Sequence, residues 1–237
     1  MARDRHKPVD PSERVLDGID LLSGLRPEVL RRLSAICSWR RFVPHQQIID
    51  KQTESRDIFF VVKGRVRIVN YSLAGREITL DELPQGGFFG EMSAIDGLPR
   101  SARVISVAHS LIAALEHKHF VAILESNPQV TLKLMVHLVA MVRESNARIM
   151  DLSTLAANNR VQGELLRRAK DIVGNTASIR PIPIHGDIAA RIGTARETVA
   201  RVLNDLARQG IIERTKDALV IRDVERLRSM IDVVRGE

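Results

Sequence analysis

The chain has 237 residues, 44% hydrophobic and 27% charged, which suits one large or two modest globular domains and excludes wholesale disorder, collagen-like repeats and disulfide scaffolds. A single cysteine, Cys37, excludes an internal disulfide and any cysteine-only metal or iron–sulfur site, and fits a reducing compartment. Lys and Arg number 36 against 29 Asp and Glu, a net +7 that favours polyanionic partners.

Residues 1–19 are polar, with Pro8 and Pro11, and predict a flexible arm. Met1 to Asp10 carries charge and no apolar core, so it is no secretory signal. The apolar stretch at Leu138–Val142 is far short of the ~18 residues that span a bilayer. The expectation is a cytoplasmic protein with no membrane contact. Asp20–Cys37 predicts a helix: Pro27 suits a first turn, and Val29, Leu30, Leu33 and Ile36 recur at helical spacing. From Trp39 to Leu115 the period falls towards two. Phe42, Ile48–Ile49, Ile58–Val62, Val66–Val69, Ile78–Leu83, Val104–Val107 and Leu111–Leu115 read as short strands, with Lys63–Gly64 and Ala74–Gly75 as hairpin turns. Many short strands between glycines predict a small antiparallel barrel or sandwich.

After His117 the pattern becomes helical. Asn127–Pro128 opens a helix that runs to about Leu152 with no internal Gly or Pro. Its stripe of Met135, Leu138/Val139, Val142 and Ile149 has coiled-coil spacing, so the helix is expected to pair with its twin in a homodimer. Asn158–Asn159 reads as a hinge. From Arg160 onward come three or four short helices and a final hairpin, with 15 Lys and Arg against 11 Asp and Glu, so more than half of the net charge sits in about a third of the chain.

One segment concentrates ligand chemistry: Phe89-Gly90-Glu91-Met92, then Pro99-Arg100-Ser101-Ala102. Gly90 permits close backbone approach to a ligand. The residues after it suit one helical turn, whose open N–H groups favour an anion. Arg100 supplies a fork shaped for phosphate, and Glu91 suits a sugar hydroxyl, as the acid of dinucleotide sites does. Phosphate and ribose chemistry on one short segment indicates a nucleotide. The plainer alternative is a glycine-bulged hairpin with a surface salt bridge.

A second segment, Asp187 to Leu203, reads as helix, tight turn at Gly193, and helix. Ile188, Ile192, Val199, Val202, Leu203 and Leu206 supply buried faces. Glu197, Arg201 and Arg208 share the outer face of the second helix, with Arg196 at its tip. Arg can reach guanine O6 and N7, and Glu can accept from cytosine N4. A solvated Glu197–Arg201 pair is the alternative. Gly210 to Ile221 reads as a wing.

The Gly90–Ser101 segment resembles the phosphate-binding cassette of cyclic-nucleotide-binding domains. Arg196-Glu197-Thr198-Val199 with Arg201 resembles the winged helix-turn-helix signature of the Crp/Fnr family. Together the resemblances span most of residues 20–222 and point to a regulator similar to the cyclic AMP receptor class. They imply an α+β fold: an N-terminal antiparallel β-barrel of double-stranded β-helix type over 20–126, a long dimerisation helix and hinge over 127–157, and a winged helix-turn-helix over 158–237. They imply a non-enzymatic, DNA-binding transcriptional regulator in which a cyclic nucleotide repositions the DNA-binding domains of a homodimer on a pseudo-palindromic site. The implied ligand residues are Gly90, Glu91, Met92, Arg100 and Ser101, with Ser145 and Asn146, a polar pair in the helix seam, at the base; a pair that only sets the register of the seam is the alternative for those two. The implied DNA-binding residues are His185, Thr194, Arg196, Glu197 and Arg201. The resemblance makes cyclic AMP the leading effector and cyclic GMP the second; the residues themselves leave the base open, because Ser and Asn can donate to guanine O6 or accept from an adenine amino group. A Crp/Fnr-type regulator with another small-molecule effector is the alternative. The resemblance leaves RNA polymerase as a candidate further partner, with no counterpart of a polymerase-contacting surface identified in the sequence; no metal, haem or iron–sulfur cluster is expected.

The chain departs from the family pattern in three places. Ile184 stands where the first helix of the motif is usually capped by Thr, leaving His185 or Gly186. Ala195 stands where Ser often caps the second, leaving Thr194 one residue earlier. Ala156 stands at the usual hinge Asp. His117-Lys118-His119 is read as a solvated pair at a strand-to-helix junction rather than a metal site.

Overall fold

The computed structural model describes residues 9–73 and 75–235. The chain divides into two compact units, Met1–Ala140 and Met141–Glu237.

In the first unit, β3 (Ile58–Lys63) shows why its sequence is an unbroken apolar run. Successive side chains point to opposite faces, and here both faces are covered. Phe59 and Val61 face a core with Phe42, Val66, Phe89 and Ile112. Ile58, Phe60 and Val62 face a second core. Two antiparallel sheets contribute to the first core. One has the order β1 (Ser38–Phe42), β8 (Ser110–Leu115), β3, β6 (Phe88–Phe89). The other has the order β2 (Gln47–Ile49), β7 (Arg103–Ser106), β4 (Arg65–Tyr71), β5 (Glu77–Pro84). The second core joins the outer face of the β3 sheet to α1 (Pro27–Ile36), α3 (His117–Ser126) and the start of α4 (Pro128–Thr154), through Leu33, Phe120, Val130 and Leu134. A fully buried side chain such as Phe60 contributes roughly 1.5–3 kcal/mol relative to exposure.

Several expectations are corrected here. The arm is not loose from residue 9 onward: Val9, Leu16 and Ile19 are buried in the second core, and residues 1–8 lie outside the described residues. Asp20–Cys37 is a 3-10 turn, Asp20–Leu22, followed by α1, with Pro27 in its first turn as expected. Lys63–Gly64 is no hairpin, because β3 pairs with β8 and β6 while β4 pairs with β7 and β5; the turn carries the chain from one sheet to the other. β4 and β5 do form a hairpin, paired from Tyr71–Glu77 outward; Ala74, in its expected turn, lies outside the described residues.

α4 begins at Pro128, as expected, and exposes Leu132, Met135, Val139, Val142 and Ile149. Leu132, Val139 and Asn146 recur every seven residues, and Met135, Val142 and Ile149 do so three residues later. Leu138 leaves this stripe and packs on the second core of the first unit, so Val139 holds the shared position.

The second unit contains α5 (Ala157–Arg168), β9 (Lys170–Val173), β10 (Thr176–Ile179), α6 (His185–Ile192), α7 (Arg196–Arg208), β11 (Ile212–Arg214), β12 (Leu219–Ile221) and α8 (Val224–Arg235). Val161, Leu165, Ile188, Val199, Leu206 and Leu227 share its core. The strands form one antiparallel sheet, β11-β12-β10-β9. The wing hairpin is therefore not the last element: α8 follows and buries Leu227 and Ile231. Asp223 caps α8, its Oδ1 accepting from the Arg226 amide at 2.9 Å. The expected hinge at Asn158–Asn159 is also corrected. Both lie in the first turn of α5, and the helix breaks at Leu155–Ala156, where Ala156 is extended with ψ 157°.

Candidate functional site

The cassette is assembled at the end of β6. Gly90 has φ +86°, and a Cβ there would stand 2.6 Å from Arg100 Nη1 and 3.0 Å from the Asp57 carbonyl oxygen. Only glycine fits this conformation and this approach. Gly90 opens α2 (Glu91–Asp96), whose first-turn amides have no partner within the helix, and Gly97, again left-handed, closes it. The chain then returns through Pro99 to Arg100, which is 3% exposed. Its guanidinium donates from Nη1 to Gly90 O at 2.9 Å, from Nη2 to Asp57 O at 2.6 Å and from Nε to Ser55 Oγ at 3.1 Å. It also lies 5.4 Å above the Phe59 ring, which stacks on Phe89 at 5.1 Å. Three of the five N–H donors of an arginine thus fix the group in place, and two remain with the positive charge. Glu91 is 6% exposed. Burial pushes its carboxyl above the usual carboxylate range, against its own backbone amide and the charges of His137 and Arg100. Met92 and Ser101 are exposed, the Ser101 hydroxyl 3.8 Å from Met92 Sδ. A fixed cation, a held carboxylate and open amides in one place can receive an anion that also carries hydroxyl donors.

In the second unit, Gly193 ends α6 with φ +65°, and α7 follows after Thr194 and Ala195. The helix-turn-helix packs through Ile188, Ile192, Val199, Val202, Leu203 and Leu206, as the sequence predicts. Arg196, Glu197, Arg201 and Arg208 are exposed. Glu197 and Arg201 form no ion pair with each other, while Arg208 pairs with Asp205. α7 thus presents unpaired charges whose chemistry matches base edges. Ser145 and Asn146 are exposed on α4 in this same unit.

Residues 39–127 match the cyclic nucleotide-binding domain family, and residues 159–230 match the Crp-like helix-turn-helix domain family. The Cyclic AMP receptor protein of Thermus thermophilus is 33% identical over 209 residues, spanning 88% of this chain and 94% of that protein. The chain belongs to the Crp/Fnr family. Two solved structures share the fold of this Crp/Fnr regulator. A CooA mutant from Carboxydothermus hydrogenoformans matches with TM-score 0.76 at 22% identity, over 89% of this chain and 93% of that one. The c-di-GMP responsive global regulator CLP of Xanthomonas campestris matches with TM-score 0.69 at 18% identity, over 83% and 99%. The protein is a Crp/Fnr-type DNA-binding transcriptional regulator of mixed α/β architecture.

Against the family pattern, neither helix of this regulator's motif has a side-chain cap. Ile184 precedes α6 and Ala195 precedes α7, each without a capping hydrogen bond. His185 is the first, half-buried residue of α6. Thr194 is corrected: it is buried, its amide donates to Ala189 O at 3.1 Å, and it closes the turn instead of capping α7 or facing outward. Among the described residues no three His, Cys, Asp or Glu side chains gather as metal ligands, and no helix is long and apolar enough to cross a membrane. Cys37 is buried, and desolvation pushes its thiol up to about 12. Sequence reasoning missed Ser55, Asp57 and Phe59, the residues that hold Arg100. They lie more than forty residues before it, and all three contacts are to groups other than charged side chains: a hydroxyl, a backbone carbonyl and a ring.

Proposed function

We propose that this regulator is gated by a cyclic nucleotide, cyclic AMP or cyclic GMP, and acts as a homodimer on a pseudo-palindromic DNA site. The observation that carries the reading is the Arg100 guanidinium, buried and anchored beside Gly90 and the held carboxylate of Glu91. In this reading the nucleotide phosphate meets Arg100, Ser101 and the amides after Gly90, and the ribose 2′-hydroxyl donates to Glu91. Met92 borders the ligand, and Ser145 and Asn146 meet the base. The exposed stripe of Met135, Val139, Val142 and Ile149 supports pairing of α4 with its twin. Two α7 helices then address half-sites about one helical turn apart, through Arg196, Glu197 and Arg201, with His185 at the backbone. A coupling of ~10²-fold between nucleotide and DNA would correspond to about 2.7 kcal/mol.

Calorimetric titration with cyclic AMP, cyclic GMP and, as a control, cyclic di-GMP tests the effector. Binding of one cyclic mononucleotide is expected, and Arg100→Ala is expected to abolish both that binding and nucleotide-stimulated DNA binding. If Arg100→Ala responds as the parent does, the cassette is not the effector site.

A further inference from the structure

Within the second unit, α4 is tied to the helix-turn-helix by charged groups that neither the cassette nor the exposed face of α7 uses. Glu164 on α5 is 1% exposed, and an ionised carboxylate at such a site requires cations around it. Arg168 Nε stands 2.7 Å from it, Arg167 Nε 3.2 Å and Arg191 Nε 3.3 Å. Arg167 and Arg168 belong to α5 itself; Arg191 comes from α6. The other branch of Arg191, Nη2, lies 3.3 Å from Glu144 Oε1 on α4, and Arg148 holds the same oxygen at 3.3 Å from one turn along that helix. Arg160 of α5 makes a parallel tie, donating to Ile192 O at 3.1 Å and to Leu155 O at 2.6 Å. α4 also reaches the turn of the motif, since a Cβ on Gly193 would stand 3.6 Å from Leu152 Cδ2. Arg191 is thus bracketed by a buried carboxylate that fixes it to α5 and a half-exposed one that fixes it to α4.

We propose that Arg191 is the positioning residue through which α4 sets the helix-turn-helix, with Glu144 as the α4 end of the link. This rests on the effector reading above: Glu144 directly precedes Ser145 and Asn146, so a nucleotide that shifts α4 at that pair moves Glu144 as well. Arg191 passes the displacement to α6 and, across Gly193, to α7. An arginine suits the role because its rigid fork presents separate N–H groups, Nε and Nη2, to the two carboxylates, whereas a lysine offers a single ammonium on a flexible stem.

Glu144→Ala tests the link, since it removes the α4 contact and leaves Arg191 on Glu164. Glu28→Ala, which removes an exposed ion pair on α1, is the control. The probes are cyclic AMP, cyclic GMP and a duplex selected from a random pool by the parent protein. In Glu144→Ala, nucleotide affinity by calorimetry should stay within about twofold of the parent. The ratio of DNA affinities with and without nucleotide should fall towards one, by roughly 3- to 30-fold. Amides of α6 should exchange hydrogen faster. Arg191→Lys should show the same loss, and the double variant should be no worse than either single one, as expected for two ends of one contact. In a responding protein, an unchanged ratio in Glu144→Ala overturns the proposal. If neither nucleotide alters DNA binding by the parent, the effector reading has failed, and exchange alone decides the link: faster α6 exchange upholds Arg191 as the positioning residue, and unchanged exchange overturns it.

Discussion

Glu91 carries two opposed demands. A carboxylate beside Arg100 is what a ribose hydroxyl would meet, yet burial is the largest influence on it and disfavours its charge. Because the folded value is raised, the stability this group contributes is fully present below the ordinary glutamate range and is lost as pH rises through the folded value. At neutral pH the ionised form is therefore a cost to the fold. Glu91→Gln keeps the shape without the charge. It should melt at a higher temperature than the parent at pH 7, with the advantage shrinking as pH falls into the carboxylate range, and should bind nucleotide roughly tenfold or more weakly. A glutamine variant that melts lower at pH 7 would mean that the charges of Arg100 and His137 outweigh burial.

At the scale of the element, α4 and α7 are each divided between a packed face and an open one. Leu134 and Leu138 pack α4 on the core of the first unit, while Val142 is 59% exposed and belongs to none of the core clusters of the described residues. Val142→Lys should therefore leave the melting temperature of the monomer fold nearly unchanged and convert a dimer into monomer by light scattering, because like charges would face each other across the seam. A persistent dimer would move the interface elsewhere. In α7, Val199, Val202 and Leu206 anchor the helix, so Arg196 at its first position is free of any packing duty. Arg196→Ala should cost roughly 1–3 kcal/mol at one G·C pair and relax specificity there, as measured across a set of single-substituted duplexes. Uniform weakening on every duplex would instead make Arg196 a phosphate contact.

For the whole molecule, the proposed function requires that ligand occupancy and DNA affinity be linked, and the residues proposed for the two ends of that linkage separate by substitution. Ser145→Ala with Asn146→Ala leaves Arg100, Glu91 and the α2 amides intact. Nucleotide binding should weaken but persist by calorimetry, while the nucleotide-dependent gain in DNA affinity should largely disappear. If the double variant keeps the full DNA response, the base contact is not what biases α4. The basic balance, +7 over the chain, supports DNA affinity in general but does not distinguish one site from another.

The amino-acid sequence by itself determined the features whose signals are local. Short β-rich runs between glycines marked the strands, Pro27 and Pro128 marked helix starts, and Gly193 marked the turn between α6 and α7. Gly90, Glu91 and Arg100 lie within eleven residues, so their shared chemistry was legible before any fold was known. The wing at Gly210–Ile221 was legible for the same reason. The tertiary structure alone decided what depends on distant partners. Leu138 and Val139 are equally apolar neighbours, and only the position of the first unit's core assigns one to packing and the other to the exposed seam. Lys63–Gly64 has the composition of a hairpin, but strand pairing with β8 and β7 sends its two sides into different sheets. Ser55 and Asp57 hold Arg100 across 45 and 43 residues, and Glu144 reaches Arg191 across 47. Such contacts leave no periodic trace in a sequence, because a hydrogen bond or an ion pair depends on where two groups meet in space and not on how far apart they lie along the chain.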